Sequence, residues 1–363
     1  MAQWSRRDIL RAGVALGGTA FLAACGADAD GGGAGPTSSP SGPKTLTGAA
    51  LEDAARAEGA KVTWYNTGNP TLVQKVTDGF KAAYPWITFE GVSVPFTDLP
   101  AKMTTEAITN APTADVIWMP PTLRQNMTKN NILTDVVLAG DKNMPADTLD
   151  SNNIAHPIWQ LAIGILYNPG VVPDLPATPQ DLANAKWKGK IAFDRVANLG
   201  QSTTWLSVWK GKMGDSAWNK WLDDLKAQDI FITPSASSAY DAVLKGERQL
   251  AISSSNYILA QAAGTPMAMS FKIQPVPFYN HQYLTRRASH PASAKLFMEW
   301  ASTADGQKSV AEAGLSPIMA IDHKNAMKNF LPAGVTLMPG TELTDFSTNT
   351  DTYATALNQR WPG

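Results

Sequence analysis

The sequence predicts an α/β protein in which two successive blocks of the chain each alternate strands with helices. The chain has 363 residues, of which 44% are hydrophobic and 17% charged, and this is enough to bury two hydrophobic cores. Short apolar runs of strand type are separated by amphipathic segments from residue 61 onward, and the alternation begins again near residue 167. Strands separated by helices favour parallel pairing, with helices on both faces of the sheet.

The first block begins with a short apolar strand over residues 62–65. Asn69 is a suitable helix N-cap, and Pro70 a suitable first helical residue, because its missing N–H is one that the helix would leave unpaired. Pro85 ends this helix. The other elements predicted here are a strand over residues 87–94, a helix over 97–110 and a strand over 114–119.

The second block contains a tryptophan-rich helix over residues 205–226, which is interrupted between Gly211 and Gly214. His290 and Pro291 open an amphipathic helix over residues 292–301. The other predicted elements are strands over residues 190–193, 230–233 and 249–253, a helix over 238–245 and an extended segment over 275–285.

The first 24 residues are expected to be an export signal. Arg6 and Arg7 precede an apolar run over residues 12–24, which is shorter than the roughly 20 apolar residues of a membrane-spanning helix. The arginine pair resembles a twin-arginine signal, and residues 22–25 resemble a lipobox, in which Cys25 becomes the lipidated first residue of the mature chain. The protein is therefore expected outside the cytoplasmic membrane and anchored to it by lipid. Whether that space is a periplasm or the outer face of the cell stays open.

A flexible tether is predicted after Cys25 and assigned to residues 25–50. Residues 26–48 are rich in glycine, serine, proline and threonine and offer almost nothing to bury.

Composition and motifs argue against several functional classes. With 30 basic and 31 acidic residues, the chain lacks the basic excess on which nucleic-acid binding usually depends. Cys25 is the single cysteine, so the main body has no disulfide, cysteine-based zinc site or cysteine nucleophile. The motifs of nucleotide-binding loops, of serine hydrolases with a nucleophile elbow and of zinc proteases are also missing from the sequence. No catalytic residue and no cofactor is assigned, although a hydrolase built from scattered Ser, His and Asp stays open.

Tyr279, His281 and Tyr283 alternate along the chain, so on a strand they would share one face. One interpretation is a metal site. The other, which we prefer, is a strand between the two blocks whose rings are packed and whose hydroxyls are hydrated. No metal site is assigned.

Polar, loop-forming residues follow several of the predicted strands. They are Asn66, Thr67 and Gly68 after the first strand, Pro120, Pro121 and Thr122 after the third, and Ser254, Ser255, Asn256 and Tyr257 after the strand that ends at residue 253. In open α/β sheets, ligands bind outside the carboxyl ends of the strands, where helix N-termini offer free N–H donors. The pattern therefore predicts a cleft for a small molecule.

The chain resembles the extracellular solute-binding proteins of bacterial ABC importers. It is most similar to the branch that includes ferric-iron, thiamine, polyamine and phosphonate binders. The similarity extends over about residues 61–318 and is carried, in order, by KVTWYNTGNPTLVQKVTDGFKAAYPWITFEGV, APTADVIWMP, GILYNPGVVPDLPATPQDLANAKWKGKIAF, AVLKGERQLAISSSNY and SHPASAKLFMEWASTADGQKSVAEAGLSPI.

The resemblance implies a two-lobed periplasmic-binding-protein-like fold of type II, in which each lobe is a parallel or mixed sheet flanked by helices. Strand crossings near residues 164–168 and 274–283 would form the hinge, and closure would trap a solute between the lobes. The boundaries implied are 51–165 for the first lobe and 166–273 for the second. Residues 274–363 would return to the first lobe, with the tail from about residue 320 packed on it.

Ligand-binding residues are implied by motif position. They are Asn66, Thr67, Gly68, Pro120, Pro121, Trp159, Asn198, Ser202, Thr203, Ser255, Asn256 and Tyr257. Core packing is the alternative for Trp159, and a helix cap is the alternative for Ser202 and Thr203.

The identity of the solute is not determined by the resemblance. Ferric-binding members have two adjacent tyrosines where this chain has Asn256 and Tyr257, which argues against direct ferric binding. Twelve tryptophans favour an organic solute, since rings stack on flat or cationic groups and on sugar faces. An organic cation, a phosphonate, a sugar and a metal chelate all stay open.

The expected partners are the small solute, an ABC permease with its ATPase, and the membrane through the lipid anchor. The protein is expected to act as a monomer. Two other functions stay open: a sensor lipoprotein that presents its closed state to a receptor, and an exported enzyme on the same fold.

Overall fold

A computed structural model describes residues 44–362 of the chain. The predicted export signal, Cys25 and most of the predicted tether lie outside the described residues. Helix α1, Gly48–Ala57, begins before the tether was expected to end, and its Leu51 and Ala55 are buried. Within residues 44–362, no helix is both long and apolar enough to span a membrane.

The described chain contains a mixed sheet of 11 strands. The strands are β1 Lys61–Asn66, β2 Thr88–Ser93, β3 Val116–Met119, β4 Leu133–Thr134, β5 His156–Tyr167, β6 Ile191–Asp194, β7 Phe231–Thr233, β8 Leu250–Ser254, β9 Ala268–Ser270, β10 Val276–Thr285 and β11 Ser316–Pro317. The further helices are α2 Pro70–Ala83, α3 Leu99–Ile108, α4 Arg124–Lys129, α5 Gln201–Met213, α6 Asp215–Lys226, α7 Ala236–Leu244, α8 Ser255–Ala260, α9 Pro291–Ala301, α10 Ala304–Glu312, α11 Met327–Phe330, α12 Thr344–Thr348 and α13 Thr350–Asn358. Strands therefore alternate with helices along most of the chain, as predicted.

Two parallel groups of strands are joined by two long antiparallel strands. The order is β2-β1-β3-β10-β5-β8-β6-β7, in which β1 pairs in parallel with β2 and β3, and β6 pairs in parallel with β7 and β8. Strand β10 is antiparallel to β3 and to β5, and β5 is antiparallel to β8. Strands β5 and β10 thus connect the two halves of the sheet.

Strand β5 is longer than the crossing that the sequence predicted. Its first part pairs with β10 from His156 to Ile163, and its last part pairs with β8 from Ile163 to Tyr167. The prediction located only the end of this strand, near residues 164–168. Most of β5 is buried on both faces, so its sequence lacks the alternation that marks a half-exposed strand.

Local signals in the sequence act as predicted at two helix ends. The side chain of Asn69 accepts a hydrogen bond from the backbone N–H of Leu72 at 2.8 Å, and so caps α2. Gly214 separates α5 from α6 with a φ of 77°, which is the left-handed region that favours glycine. The predicted helix over residues 205–226 is therefore two helices.

An aromatic core fills one face of the first half of the sheet. Trp64 and Trp118 are fully buried with ring centroids 4.6 Å apart, and Trp118 stacks on Phe297 of α9 at 5.7 Å. These strand tryptophans therefore form core and do not face a cleft.

The end of the C-terminal segment packs on the second half of the protein, and the prediction that the tail packs on the first lobe is wrong for this part. Arg360 binds the carboxylate of Asp223 in α6 with its Nε, at 2.7 Å. Trp361 packs edge-on against Phe193 in β6, with ring centroids 5.2 Å apart. The burial of Trp361 against Phe193 stabilises this packing. The sequence around Trp361 is hydrophilic and does not indicate on which half of the protein the segment packs.

Candidate functional site

The polar residues Asn66, Thr67 and Gly68 lie at the carboxyl end of β1, and Asn66 is the last residue of that strand. Asn66 is fully buried, and neither its Oδ1 nor its Nδ2 has a hydrogen-bond partner within the described chain. Thr67 donates from both its backbone N–H and its hydroxyl to the carbonyl of Trp118, which ties the ends of β1 and β3 together. A Cβ on Gly68 would approach Asn66 Nδ2 to 2.7 Å, so glycine leaves the space that this amide occupies.

The strand register extends this polar face onto the two long strands. Asn66 pairs with Trp118, and Trp118 pairs with Gln282 in β10. Two residues earlier in β10, Asn280 pairs with Trp159 in β5. Directly paired residues share a face of the sheet, and so do residues two apart on one strand, so Asn66, Asn280 and Trp159 lie on the face that carries Trp118. They extend the face of the aromatic core beyond its rings, and the alternating residues of β10 lie on the opposite face.

Asn280 and Trp159 resemble Asn66 in carrying buried polar atoms without partners. The Oδ1 of Asn280 and the Nε1 of Trp159 make no hydrogen bond in the described part of the chain, and these residues are 1% and 6% exposed. Most buried polar atoms in native proteins are paired, so a row of unpaired ones calls for an explanation.

Three of the predicted ligand residues precede or begin α5, and their side chains are already hydrogen-bonded within the protein. Ser202 donates to the carboxylate of Asp194 from its backbone N–H and its hydroxyl, and it accepts from the backbone N–H of Asp194. Thr203 donates to the carbonyl of Val196, and Asn198 donates to the carbonyl of Pro234. These contacts fix the turn that enters α5, while burial raises the pKa of Asp194.

The residues that follow β8 adopt a similar arrangement. The hydroxyl of Ser255 accepts a hydrogen bond of 3.0 Å from the backbone N–H of Ala162 in β5, and Ser254 donates to the side chain of Asn256. Tyr257 stacks on Tyr240 with ring centroids 5.5 Å apart. Burial and then the nearby Asp194 carboxylate raise the pKa of Tyr257 to about 12, so its phenol stays protonated at neutral pH.

A cavity of about 680 Å³ lies along the edge of β10, beyond the end of β3. Of the predicted ligand residues, Pro121 lines it. The wall also contains residues 147–152, 154 and 155, Thr204 of α5, Tyr279 and His281 of β10, and residues of the C-terminal segment between 340 and 348. The cavity is therefore in contact with residues from both predicted lobes, and its volume is typical of small-molecule sites.

The alternating Tyr279, His281 and Tyr283 do share a face. Their ring centroids are 6.4 Å apart for the first pair and 6.2 Å for the second. Burial, with a smaller contribution from Arg124, lowers the pKa of His281 to about 3, and burial raises the pKa of both tyrosines. Protonated phenols are poor metal ligands, and among residues 44–362 no group of three or more His, Cys, Asp or Glu could hold a metal ion.

Several residues around the candidate site were not predicted. One of them, Asn280, lies on the face that carries Asn66, and the other two, Thr204 and Arg124, line the cavity. None of the three directly follows a predicted strand. Asn280 carries the one usable signal, because it is an amide within an otherwise largely apolar and aromatic extended run. Thr204 becomes a neighbour of the site through the packing of α5 against β10, and Arg124 through the position of α4 at the cavity wall.

Comparison with known families supports the similarity noted in the sequence. Residues 75–320 match the family model described as bacterial extracellular solute-binding protein, and this stretch is well over half of the 363 residues. The chain belongs to the family of bacterial extracellular solute-binding proteins. No curated protein matches this chain by sequence.

Solved structures confirm the fold. Iron-bound HitA from Pseudomonas aeruginosa superposes with a TM-score of 0.68 at 17% identity, covering 82% of this chain and 99% of that one. The periplasmic binding protein AfuA from Actinobacillus pleuropneumoniae, with fructose-6-phosphate bound, gives 0.70 at 16% identity, with 83% and 98% covered. A periplasmic thiamin binding protein gives 0.66 at 14% identity, with 83% and 96% covered. The α/β, two-lobed periplasmic-binding-protein-like fold of type II is thereby confirmed.

Proposed function

We propose that this protein captures a small solute between its two lobes and delivers it to an ABC importer, while a lipid on Cys25 holds it at the outer side of the cytoplasmic membrane. It binds the solute without converting it. The observation that carries this proposal is the row of buried, unpartnered polar atoms on Asn66, at the carboxyl end of β1, and on Asn280 and Trp159, within β10 and β5. Membership of the solute-binding family supports it.

The two lobes are assigned from the order of the strands in the sheet. The first lobe comprises the strands around β1 and β3, the second comprises those around β6 and β8, and β5 and β10 form the hinge. The C-terminal segment from about residue 340 belongs with the second lobe, because Arg360 and Trp361 pack there. Solute contacts on both sides would favour the closed state.

A tether from the membrane would join the first lobe. Lys44, the first described residue, accepts a hydrogen bond of 2.9 Å on its carbonyl from the ammonium of Lys295 in α9. Its own ammonium lies 2.9 Å from the carboxylate of Asp135, which follows β4. The start of the folded body is thus fixed to the first half, so the second lobe would be the one that moves relative to the membrane.

Thermal unfolding of the full-length protein in detergent tests the proposal with a panel of solutes. A solute present at about 100 times its dissociation constant should add about 2.7 kcal/mol of stability. The variant Asn66→Ala should lose most of this response. Its unfolding midpoint without solute should stay close to that of the wild type, because the amide has no partner to lose.

Asn198→Ala is the matched control, since that amide only binds a nearby carbonyl at 2.9 Å. It should keep the response to solute. If no solute in a broad panel raises the midpoint, or if Asn66→Ala responds like the wild type, the proposed site is wrong.

A further inference from the structure

The charges that line the 680 Å³ cavity are balanced in number, and three of the four are ion-paired. Arg124 and Lys129 are the lining cations, and Asp147 and Asp150 are the lining anions. Arg124 Nη2 binds Asp150 Oδ2 at 2.7 Å, and Lys129 forms an ion pair with Asp351. Asp147 is the one lining charge without an ion-pair partner among the described residues, so an anionic solute would enter the cavity without a counter-charge.

Asp147 and Asp150 are further engaged by backbone donors. Asp150 accepts from the N–H groups of Ile154 and Ala155, each at 3.2 Å, and Asp147 accepts from the N–H of Gly340 at 3.1 Å. Both oxygens of Asp150 are thus engaged, whereas Asp147 uses one oxygen for this backbone contact and can accept from a solute hydroxyl with the other.

Uncharged hydrogen-bonding groups are available instead. His281 is 7% exposed and lines the cavity, and its Nδ1 has no partner in residues 44–362. Burial and the facing Arg124 and His156 keep its ring neutral, against the smaller opposing effects of the Thr148 backbone and Asp150. Because the Thr148 backbone already binds the ring, Nδ1 is the ring nitrogen left to accept a hydrogen bond from a solute hydroxyl.

Two hydroxyls add to this set. Thr204 donates to the carbonyl of Gly200 at 3.0 Å, so its oxygen still has a lone pair that can accept. Tyr279 lines the cavity with a phenol that burial keeps protonated, so it can donate.

Aromatic rings cover part of the same wall. Phe278, Tyr279 and Phe346 line the cavity. The C-terminal segment lies close to one of them, since a Cβ on Gly340 would approach the Cε2 of Tyr279 to 3.3 Å. Aromatic rings beside a few neutral hydrogen-bonding groups are typical of sites that bind the C–H faces and hydroxyls of sugars.

We propose that this cavity binds an uncharged, polyhydroxylated solute, such as a neutral sugar or a cyclic polyol, with Tyr279, His281 and Thr204 binding its hydroxyls. This inference rests on the proposed function and names the solute class for the cavity, which lies on the face of β10 that carries Tyr279 and His281, opposite the face that carries Asn280. Phosphonates are disfavoured because both lining cations are already paired, and ferric ion and polyamines are disfavoured because Asp147 is the single carboxylate on the described wall without an ion-pair partner.

Calorimetric titration of the full-length protein in detergent tests the inference. Neutral probes are glucose, trehalose and myo-inositol, and charged probes are ferric citrate, spermidine, thiamine and 2-aminoethylphosphonate. At least one neutral probe should bind more tightly than every charged one. For that probe, Tyr279→Phe and His281→Asn should each raise the dissociation constant by roughly two- to tenfold, the effect of one lost hydrogen bond.

Tyr84→Phe is the matched control, because Tyr84 is the C-cap of α2 and does not line the cavity. It should leave the dissociation constant unchanged. Binding of a charged probe alone would overturn this inference and leave the proposed function standing, whereas binding of no probe would count against both. A neutral probe whose affinity falls in Asn66→Ala but not in Tyr279→Phe or His281→Asn would place the solute elsewhere and also overturn the inference.

Discussion

His281 is the buried residue whose environment most clearly determines its protonation. Its pKa is lowered to about 3, while an exposed histidine has a value of 6.5. Between these values the unfolded chain binds a proton that the folded protein does not bind. The free energy of unfolding should therefore be fully retained above pH 6.5 and fall as the pH falls toward 3.

His281→Asn should remove this part of the pH dependence. In the wild type, His281 should contribute a slope of up to about 1.4 kcal/mol per pH unit between pH 6 and pH 4. Chemical denaturation at several pH values measures it. Equal slopes in the wild type and His281→Asn would contradict the assigned burial.

Single residues at strand ends were predictable in part. Asn66 and Pro121 followed from the rule that ligands bind beyond the carboxyl ends of strands, and the structure places them on the polar face and in the cavity wall. Asn280 and Tyr279 were not predicted as ligand residues. Their location depends on where β3 stops along β10, and that register is set by tertiary packing that no local pattern encodes.

At the scale of the elements, the C-terminal segment packs on the second half of the protein because its tryptophan is buried there. Trp361 is 6% exposed and lies against Phe193 at the start of the second half. Trp361→Ala should therefore lower the free energy of unfolding by about 3–5 kcal/mol, the usual cost of removing a buried tryptophan. Urea denaturation measures this loss.

Trp86→Ala is the comparison for that experiment. Trp86 is only partly buried and stacks with Arg56, whose guanidinium carbon is 3.6 Å from the ring centroid. Its loss should cost about 1 kcal/mol. A similar loss in both variants would mean that Trp361 does not hold the segment in place.

Elements with local signals were predicted well, and those without them were not. The boundaries of α2 followed from Asn69, Pro70 and Pro85, because capping and proline geometry act within a few residues. Strand β5 was predicted only at its end, since a strand buried on both faces has no alternating pattern. Helix α1 was assigned in part to the tether because its first residues are glycine and alanine.

For the whole molecule, the C-terminal segment is attached to both halves with unequal strength. Asp351 pairs with Lys129 of α4 in the first half, but these side chains are 62% and 60% exposed. Exposed ion pairs contribute about 0–1 kcal/mol, whereas the packing of Trp361 on Phe193 is buried. During hinge motion we expect the segment to stay with the second lobe and to release Lys129.

Small-angle X-ray scattering with and without solute tests the central claim that a solute is held between two lobes. A solute that stabilises the full-length protein should lower its radius of gyration at saturation, because contacts on both sides favour the closed state. Asn66→Ala should show no such decrease at the same solute concentration. A radius that stays unchanged in the wild type, at a concentration where calorimetry shows full occupancy, would contradict capture by lobe closure.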